Sequence, residues 1–304
     1  MAAAEPVLGA GIDAFHAISG GYTVQHLARL ELSDGTRAVL KAAPPGVADG
    51  VEWGLQVRRE IAAYRAWPFL APWRPRMRAT FVCDGWTVLV MDEVVDALRV
   101  PPWSASLLDA VARGLADMHA ASAGWTGDVA APRDHRFYER VAGAGRDHGD
   151  VPAAWADRGW RAWLDRVAGP AGAAAGALLR GAPARLLHYG VRSDNLFVRH
   201  GRLVLVDWPI ARWGAQAIDS VHWAVSVEAE GGPAAPDVHD RYLRHAPEAA
   251  GQTDGAVAYV AGWFLCRLVE RDGPDRVQRM RLRLLRPVLR WLGRRLGVEA
   301  PALP

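Results

Sequence analysis

Asn195 and Asp207 carry oxygen-bearing side chains at two neighbouring strand ends. The pattern predicts one strand at residues 196–198 and a second at residues 203–206, joined by a short glycine-containing turn. An amide and a carboxylate are then held side by side on rigid backbone. Hard divalent cations such as Mg²⁺ prefer oxygen ligands and keep some of their waters. The stretch 186–208 is therefore predicted to be a phosphoryl-transfer site, in which these two side chains bind the metal.

Lys41 is the only lysine among the 36 Lys plus Arg residues of the chain. The surrounding pattern predicts a β-hairpin over residues 17–41, with an Asp-Gly turn in the middle and the lysine at the end of the return strand. A run that permits a tight turn close to a ligand lies near the start of this hairpin and consists of Ser19, Gly20 and Gly21. Taken alone, this run is more typical of an ordinary loop. Ahead of a hairpin that ends in the single lysine, it is a candidate for binding a cofactor.

Glu60 is the candidate partner of Lys41. Residues 52–67 place apolar side chains at helical spacing, and Pro68 ends the predicted helix. Because a buried lysine must be paired to stay charged, the glutamate near the middle of this helix is predicted to hold Lys41 toward a phosphate. A solvated helix carboxylate is the alternative interpretation of Glu60.

A change in pattern near residue 95 predicts two lobes. An apolar strand runs into an extended connector at residues 91–94, and a helix follows. We therefore expect a small β-rich nucleotide-binding lobe at 1–95, and a larger helical lobe at 96–304 that carries the catalytic-loop and metal-binding segments. Backbone groups of the connector, at Met91 and Glu93, are candidates for hydrogen bonds to an adenine edge. Apolar periodicity predicts helices in the second lobe at residues 104–121, 219–228, 237–245, 255–269 and 276–296.

Two other segments of the second lobe have less distinct patterns. Residues 128–149 are rich in Gly, Asp and Arg and are predicted to form a helix-bearing insertion with no assigned chemistry. The Gly/Ala/Pro stretch at 169–176 is predicted to be a loose connector or a helix of small residues.

The composition argues against several classes of function. With 51% hydrophobic and 23% charged residues the chain is globular, and a formal charge of +3 is too slight to indicate a nucleic-acid or membrane partner. Cys83 and Cys266 are too few for a disulfide framework, which favours a reducing cytoplasm. The first residues lack the basic start and continuous apolar core of a signal peptide, and the longest apolar runs are shorter than a membrane span. We therefore expect a cytoplasmic protein.

The order of these residues resembles the protein-kinase signature set of a Gly-rich loop, a strand Lys, a helix Glu, a catalytic loop and a metal-binding Asp. It is most similar to the aminoglycoside phosphotransferase family, whose catalytic loop resembles H-x-D-x-x-x-x-N and whose metal Asp is commonly followed by Trp, as in Asp207-Trp208. The match extends from about residue 20 to residue 232. The resemblance implies an α+β, two-lobed protein-kinase-like fold, ATP and Mg²⁺ as cofactors, and a small-molecule hydroxyl as acceptor.

The resemblance also assigns roles residue by residue. Lys41 resembles the lysine that meets the α- and β-phosphates, and Glu60 resembles its ion-pair partner. His188 resembles the structural histidine that opens the catalytic loop. Asp219 resembles the structural aspartate that steadies this loop. The metal ligands of the resemblance are those proposed above.

Gly190 departs from the family pattern, because it stands where the catalytic aspartate belongs, five residues before Asn195. Glycine has no side chain to accept a proton from the substrate hydroxyl. A general base typically contributes ~10²- to 10⁴-fold to the rate, whereas phosphoryl transfer relies mainly on positioning and charge neutralisation. The loss should therefore impair the site without necessarily silencing it.

Three interpretations of Gly190 remain open at this point. In the first, the protein is still a phosphotransferase, and Asp194 or a water molecule replaces the missing base after remodelling of the loop. In the second, it is a nucleotide-binding pseudokinase that works through a protein partner. In the third, an aspartate at this position has been replaced by glycine, naturally or by design, in an otherwise ordinary kinase.

The acceptor is not identified by these patterns, since aminoglycosides are only one substrate class of the family. A polycationic acceptor would require acidic residues, and Glu228, Glu230 and Asp237 are the candidates that follow the catalytic core. Solvated charges at helix ends are an equally good explanation of these three carboxylates.

Overall fold

The computed structural model describes residues 8–18, 26–47, 52–125, 137–138, 159–270 and 274–300. The run of Ser19, Gly20 and Gly21 lies outside these residues, and so does the expected insertion at 128–149 apart from residues 137–138. The chain divides into two compact units. Unit 1 comprises Met1–Val100 with Asp194–Ala211, and unit 2 comprises Pro101–Ser193 with Arg212–Pro304.

The described residues combine strands and helices in an α+β fold. The strands are β1 (Ile12–Ile18), β2 (His26–Leu32), β3 (Arg37–Ala43), β4 (Met77–Cys83), β5 (Trp86–Asp92), β6 (Ala97–Leu98), β7 (Ala184–Leu187), β8 (Leu196–Arg199), β9 (Arg202–Leu205) and β10 (Arg212–Ala215). The α-helices are α1 (Trp53–Ala66), α2 (Ala105–Ala121), α3 (Trp160–Gly181), α4 (Ala217–Ala229), α5 (Ala235–Leu243), α6 (Thr253–Val269) and α7 (Asp275–Leu296). Short 3₁₀ helices span Pro68–Trp73, Ser193–Asn195 and Pro247–Gln252.

Unit 1 is built on a five-stranded antiparallel sheet in the order β1-β2-β3-β5-β4. Because side chains alternate across a strand, β5 serves two cores. Val88 and Val90 pack into one core, whereas Leu89 and Met91 belong to a second core with helix α1. The sheet therefore holds α1 against the face that also carries residues of β3.

The segment Asp194–Ala211 belongs to unit 1, although the sequence pattern placed everything after residue 95 in the second lobe. Its strands β8 and β9 form a hairpin, and β6 pairs with β8 to make a three-stranded sheet. The expected turn is present, with His200 and Gly201 both at positive φ, as a two-residue hairpin turn requires. A pairing between positions about a hundred residues apart, Ala97 with Arg199, is invisible to local periodicity.

Unit 2 is mainly helical and is centred on α6. This helix is apolar on nearly all sides and packs against α3, α4 and α7. Gly255 allows a close approach to α3, because a Cβ atom there would lie 2.6 Å from the Cβ of Leu178. The small-residue stretch at 169–176 is part of α3, where Ala171 and Ala175 are fully buried. The ribbon of β7 and β10 completes the unit. In the part of the chain that the structure describes, no helix is both long and apolar enough to cross a membrane.

Candidate active site

A buried ion pair between β3 and α1 joins the two charged residues that the sequence singled out. Lys41 lies within β3, two residues before its end, and its Nζ is 2.6 Å from Glu60 Oε2. Both side chains are buried, Glu60 completely. Val57 and Ile61 of the same helix pack against Leu89. Because Glu60 lies between them in the sequence, this packing turns the glutamate toward the sheet. A tertiary contact between apolar side chains thus sets the position of the ion pair.

Asp207 is a second carboxylate partner of Lys41. Its Oδ1 contacts the lysine Nζ, and its side chain is 30% exposed, so it also reaches solvent. The backbone of Asp207 has a φ of 69°, in the left-handed region that non-glycine residues rarely adopt. Such a conformation persists only where the surroundings enforce it, and it is concentrated at functional sites.

Trp208 is the residue that fixes this conformation, and the sequence indicated it only through the Asp-Trp pair. Its ring is buried, and its Nε1–H donates to the carbonyl of Leu205 at 3.0 Å. Its backbone N–H donates to Glu60 Oε1 at 3.3 Å. One oxygen of Glu60 therefore accepts from the Asp207-Trp208 turn, while the other accepts from Lys41.

The two carboxylates stabilise the charged form of Lys41, and the lysine in turn favours the charged form of Glu60. Burial would lower the pKa of Lys41, but the carboxylates of Asp207 and Glu60 outweigh burial and raise that pKa above the ordinary value of a lysine. Burial raises the pKa of Glu60, and the lysine ammonium opposes this shift. Lys41 is thus a buried ammonium whose charged form is favoured by the two carboxylates that hold it in place.

Asn195 is brought next to Asp207 by the β8–β9 hairpin. The register pairs Leu196 with Leu205, and the carbonyl of Asn195 accepts the N–H of Val206 at 3.0 Å. One amide and one carboxylate form the oxygen-donor set that Mg²⁺ uses when phosphates and waters supply its remaining ligands. Among the described residues, no group of three or more His, Cys, Asp or Glu side chains is arranged to hold a metal by itself. The donor set thus fits an ion that arrives together with a nucleotide.

Within unit 2, Asp219 fastens the start of the predicted catalytic loop. Its Oδ2 accepts the N–H of His188 and its Oδ1 accepts the N–H of Tyr189, each at 2.7 Å. Nε2 of His119 lies 3.3 Å from Oδ2. These two hydrogen bonds support the steadying role that the family resemblance implied for this aspartate. Burial would raise the pKa of Asp219, but its hydrogen bonds and the neighbouring histidines hold that pKa below the usual value.

The side chain of Tyr189 also holds the loop in place. Its φ is 66°, so the left-handed turn of the loop is made by a tyrosine. The guanidinium of Arg212 stacks 4.3 Å from the ring centre, and the Tyr189 hydroxyl bonds to that of Tyr259. Sequence reasoning missed these three residues, because Tyr189 occupies the variable position of the H-x-D pattern, and Arg212 and Tyr259 lie outside that pattern, farther along the chain.

Gly190 follows directly and is buried. It presents no carboxylate at the position where the family carries its base. The alternative base, Asp194, is an exposed residue of the Ser193–Asn195 3₁₀ helix, in the part of that helix that belongs to unit 1. The position of the missing base therefore carries no side chain, on a loop whose start is anchored by Asp219.

The two connector residues proposed for adenine binding, Met91 and Glu93, make structural contacts within unit 1. Met91 is buried in β5, where it pairs with Val39 and Met77. The Glu93 N–H donates to the carbonyl of Arg37 at 3.1 Å, and its carboxylate accepts from Arg29 at 2.6 Å. The Glu93 N–H is therefore committed to the sheet and is a poor candidate for an adenine contact.

The acidic residues proposed for a polycationic acceptor are largely engaged inside unit 2. Glu228 accepts the N–H of Ala235 at the start of α5 and pairs with Arg290, both at 2.6 Å. Glu230 accepts from Ser193 at 2.5 Å. Asp237 is exposed in the first turn of α5. The two glutamates hold the fold together, which weakens their case as acceptor ligands.

We expect unit 2 to lose stability as the pH falls below about 6.5, because His222 is buried in its neutral form. Burial, followed by the charge of Arg192, lowers the pKa of His222 from 6.5 to about 3. Between these values the unfolded chain binds a proton that the folded chain does not, so stability falls by ~1.4 kcal/mol per pH unit as the pH decreases. Urea unfolding at pH 7.5 and pH 5 measures the slope.

His222→Gln should flatten this slope, and His239, with a pKa lowered by burial to about 4, should account for much of what remains. Replacement of the exposed His245 by glutamine is the matched control. Equal slopes for wild-type and His222→Gln would contradict the prediction.

A family model described as the phosphotransferase enzyme family (APH) matches residues 15–252. No curated protein matches the chain.

Solved structures share the fold over nearly the whole chain. An aminoglycoside phosphotransferase, APH(4)-Ia, in a ternary complex with ADP and hygromycin B is 16% identical, with a TM-score of 0.59, and the match covers 98% of this chain and 99% of that one. A putative fructosamine-3-kinase from Thermobifida fusca YX-ER1 is 22% identical, with a TM-score of 0.59 and coverage of 95% and 98%. The amicoumacin kinase hAmiN, bound to AMP-PNP, Ca²⁺ and Ami, is 9% identical, with a TM-score of 0.58 and coverage of 90% and 87%. At these identities the likeness concerns the protein-kinase-like fold alone.

Proposed function

Because the chain belongs to the phosphotransferase enzyme family, we propose that it binds ATP with Mg²⁺ and transfers a phosphoryl group to a hydroxyl of a small molecule. The observation that carries the proposal is the contact of the only lysine, Lys41, with both Glu60 and Asp207. When Asp207 holds Mg²⁺, the Lys41 ammonium, still oriented by Glu60, would be available to a phosphate oxygen of the nucleotide. Phosphoryl transfer depends mainly on such positioning and on charge neutralisation.

The roles of the remaining residues follow from their chemistry. Lys41 would bind the phosphates of the nucleotide, and Glu60 would keep the ammonium in place. Bound Mg²⁺ supplies neutralisation of phosphate charge, and Asn195 and Asp207 are the residues that would hold it. Asp219 keeps the backbone at the start of the catalytic loop in place.

The similar structures support the nucleotide and the class of acceptor. One of them contains ADP with hygromycin B, and another, an amicoumacin kinase, contains AMP-PNP, Ca²⁺ and Ami. We propose an acceptor of similar size, such as an aminoglycoside or another natural product with hydroxyl groups. The engagement of Glu228 and Glu230 within the fold favours an acceptor that does not depend on these two carboxylates.

Removal of the proton from the acceptor hydroxyl is the step in which this chain would differ from its family. With Gly190 in place of the base, the proton passes to water or to Asp194, and we expect turnover to be slow. Because phosphoryl transfer relies mainly on positioning and charge neutralisation, losing the ~10²- to 10⁴-fold contribution of a base should impair the site without silencing it.

We expect Mg-ATP to raise the melting temperature of the protein, because a ligand that binds the folded state stabilises it by mass action. At about 100 times its Kd, the nucleotide should contribute ~2.7 kcal/mol. With 14 tryptophans in the chain, intrinsic fluorescence during heating measures the shift. Absence of a shift in melting temperature at millimolar Mg-ATP would contradict both the transferase and the pseudokinase interpretations.

Asp207→Ala tests the metal assignment in the same assay. The difference in melting temperature between ATP with Mg²⁺ and ATP with EDTA should disappear in this variant. Asp117→Ala is the matched control, since it removes an exposed carboxylate from α2. An unchanged magnesium response in Asp207→Ala would show that the metal ligands lie elsewhere.

The second candidate function is a nucleotide-binding pseudokinase that acts on a protein partner. The observation in its favour is the missing carboxylate at Gly190 beside an otherwise retained Lys41, Glu60, Asn195 and Asp207. Binding of ATP without any turnover, by wild-type and by a variant with the carboxylate restored, would favour this alternative.

A further inference from the structure

A depression of about 460 Å³ on unit 1 is lined by three separate stretches of the chain. They are the residues just before β4, the connector that follows β5, and the β8–β9 hairpin. Four arginines line it, namely Arg74, Arg76, Arg199 and Arg202. Neither Lys41 nor Asp207 lines this depression, so it is separate from the ion-pair cluster described above.

The two carboxylates that also line the depression are already neutralised by other arginines. Arg78 Nε lies 2.5 Å from Asp92 Oδ1. Glu93 is held by Arg29 at 2.6 Å and by Arg37 at 3.6 Å. None of these three arginines lines the depression. The four arginines that line it therefore represent a surplus of positive charge.

Two of the lining arginines repel each other across the hairpin. Arg199 and Arg202 are direct partners in the β8–β9 register, on either side of the two-residue turn. Like charges directly opposite each other destabilise a strand pair. Within the described part of the chain neither has a carboxylate partner, and both side chains are exposed. An anion bound between them would convert this repulsion into attraction.

Arg74 holds a third guanidinium at the edge of the depression. Its Nη2 donates to the carbonyl of Tyr64 at 3.0 Å, and its Cζ lies 4.3 Å from the centre of the Tyr64 ring. Its Nε–H is buried and has no hydrogen-bond partner among the described residues. A guanidinium fixed in this way loses little conformational entropy when it binds a ligand.

From these contacts we infer that the depression binds a small anion that carries phosphate groups. Arginine binds phosphate oxygens through two parallel N–H···O bonds, and three or four arginines around one concavity suit a diphosphate better than a single carboxylate. The volume falls in the range of small-ligand sites, ~300–1,000 Å³. Because Asp92, Glu93 and Val94 line the depression, the ligand would contact the connector between β5 and β6.

Pyrophosphate in EDTA is the probe, because it offers the proposed chemistry without a metal. Isothermal titration at constant ionic strength is expected to show a single site on the wild-type protein, with sulfate and phosphate weaker. Arg199→Ala combined with Arg202→Ala should weaken pyrophosphate binding roughly 100-fold, about tenfold for each lost arginine. Without the anion, this double variant should melt at the same temperature as the wild type or higher, since the repulsion is removed.

Matched controls separate this site from general electrostatics and from the nucleotide site. Arg279→Ala with Arg294→Ala removes the same charge from exposed positions of α7 and should leave pyrophosphate binding unchanged. The Arg199/Arg202 double variant should keep the full Mg-ATP melting shift, so failure of the ATP proposal and failure of this one are distinguishable. Arg76→Ala provides a single-residue variant of the depression, whose affinity for pyrophosphate is expected to fall about tenfold.

Three outcomes would overturn the inference. One is equal weakening by the α7 control, which would indicate a nonspecific charge effect. The second is unchanged pyrophosphate binding in the Arg199/Arg202 variant. The third is the absence of pyrophosphate binding by the wild-type protein. If the protein then sediments with phosphatidylcholine vesicles that contain phosphatidic acid, the arginines belong to a lipid headgroup site instead of a site for a dissolved anion.

Discussion

Gly190→Asp is expected to raise the rate of phosphoryl transfer by ~10²- to 10⁴-fold, the usual contribution of a general base. The loop that would receive the new carboxylate is already anchored, since Asp219 binds the backbone of His188 and Tyr189. The left-handed turn of the loop is made by Tyr189, so an aspartate at 190 does not have to adopt that conformation. The KM for ATP should change little, because Lys41 and the metal ligands are untouched.

The measurement is transfer of phosphate from ATP to a panel of hydroxyl compounds, together with slow ATP hydrolysis. Gly190→Asn is the matched control, because it has the size of aspartate without the basic carboxylate, and it should stay near the wild-type rate. A gain in the aspartate variant alone would identify an intact site that lacks only its base. Equal rates for the aspartate and asparagine variants would show that proton transfer at position 190 does not limit this protein.

Asp194→Ala complements this experiment. If the exposed Asp194 replaces the missing base, its removal should lower the residual wild-type rate but have little effect in the Gly190→Asp background. If water takes the proton, the rate should be the same with and without the Asp194 carboxylate.

Lys41→Met is expected to lower the free energy of unfolding by ~3–5 kcal/mol and to abolish phosphoryl transfer. The energetic reason is the burial of Glu60, which is fully removed from solvent and loses its compensating cation. Without Lys41, this carboxylate must either remain charged in an apolar core or take up a proton. The chemical reason is the loss of the cation that binds the phosphates of the nucleotide.

A double-mutant cycle separates the two effects. Lys41→Met combined with Glu60→Gln leaves no buried charge in the core, and the amide oxygen can still accept the N–H of Trp208. Urea unfolding should therefore show recovery of part of the lost stability, whereas transfer activity should not return. Lys41→Arg keeps the charge and serves as the conservative control. Additive losses in the double variant would mean that the two residues do not stabilise each other.

The destabilisation by Lys41→Met should also depend on pH. Burial without the lysine raises the pKa of Glu60 further, because the opposing charge is gone. The variant should thus recover stability as the pH falls toward this raised pKa, where protonation removes the buried charge. A penalty that stays constant between pH 8 and pH 5 would show that the pKa of Glu60 is not raised in the variant.

Parts of the site could be predicted from the sequence because they depend on short-range rules. The Asp-Gly turn and strand alternation place Lys41 on β3, and helical periodicity places Glu60 on α1. The β8–β9 turn at His200-Gly201 follows from the turn chemistry of those two residues. Each of these features is decided by residues within a few positions of one another, so local spacing was sufficient.

Tertiary structure decided which of these residues meet and how they are held. Trp208 reaches Glu60 across 148 positions, and Asp219 accepts N–H groups 30 and 31 positions away. The assignment of Asp194–Ala211 to unit 1 and the engagement of Glu228 with Arg290 are further cases. Such contacts depend on how elements that are distant in the sequence pack together, and local periodicity carries no information about that packing.

By itself, then, the sequence determined a kinase-like order of Lys41, Glu60, Asn195 and Asp207, and it exposed the missing base at Gly190. The structure alone decided that Lys41 is fixed by two carboxylates, that Asp219 acts through the backbone N–H groups of His188 and Tyr189, and that four arginines gather at one depression of unit 1. The physical reason is that charge and hydrogen-bond partners are chosen by proximity in space. In this chain, proximity is set by the packing of apolar side chains such as Val57, Ile61 and Leu89.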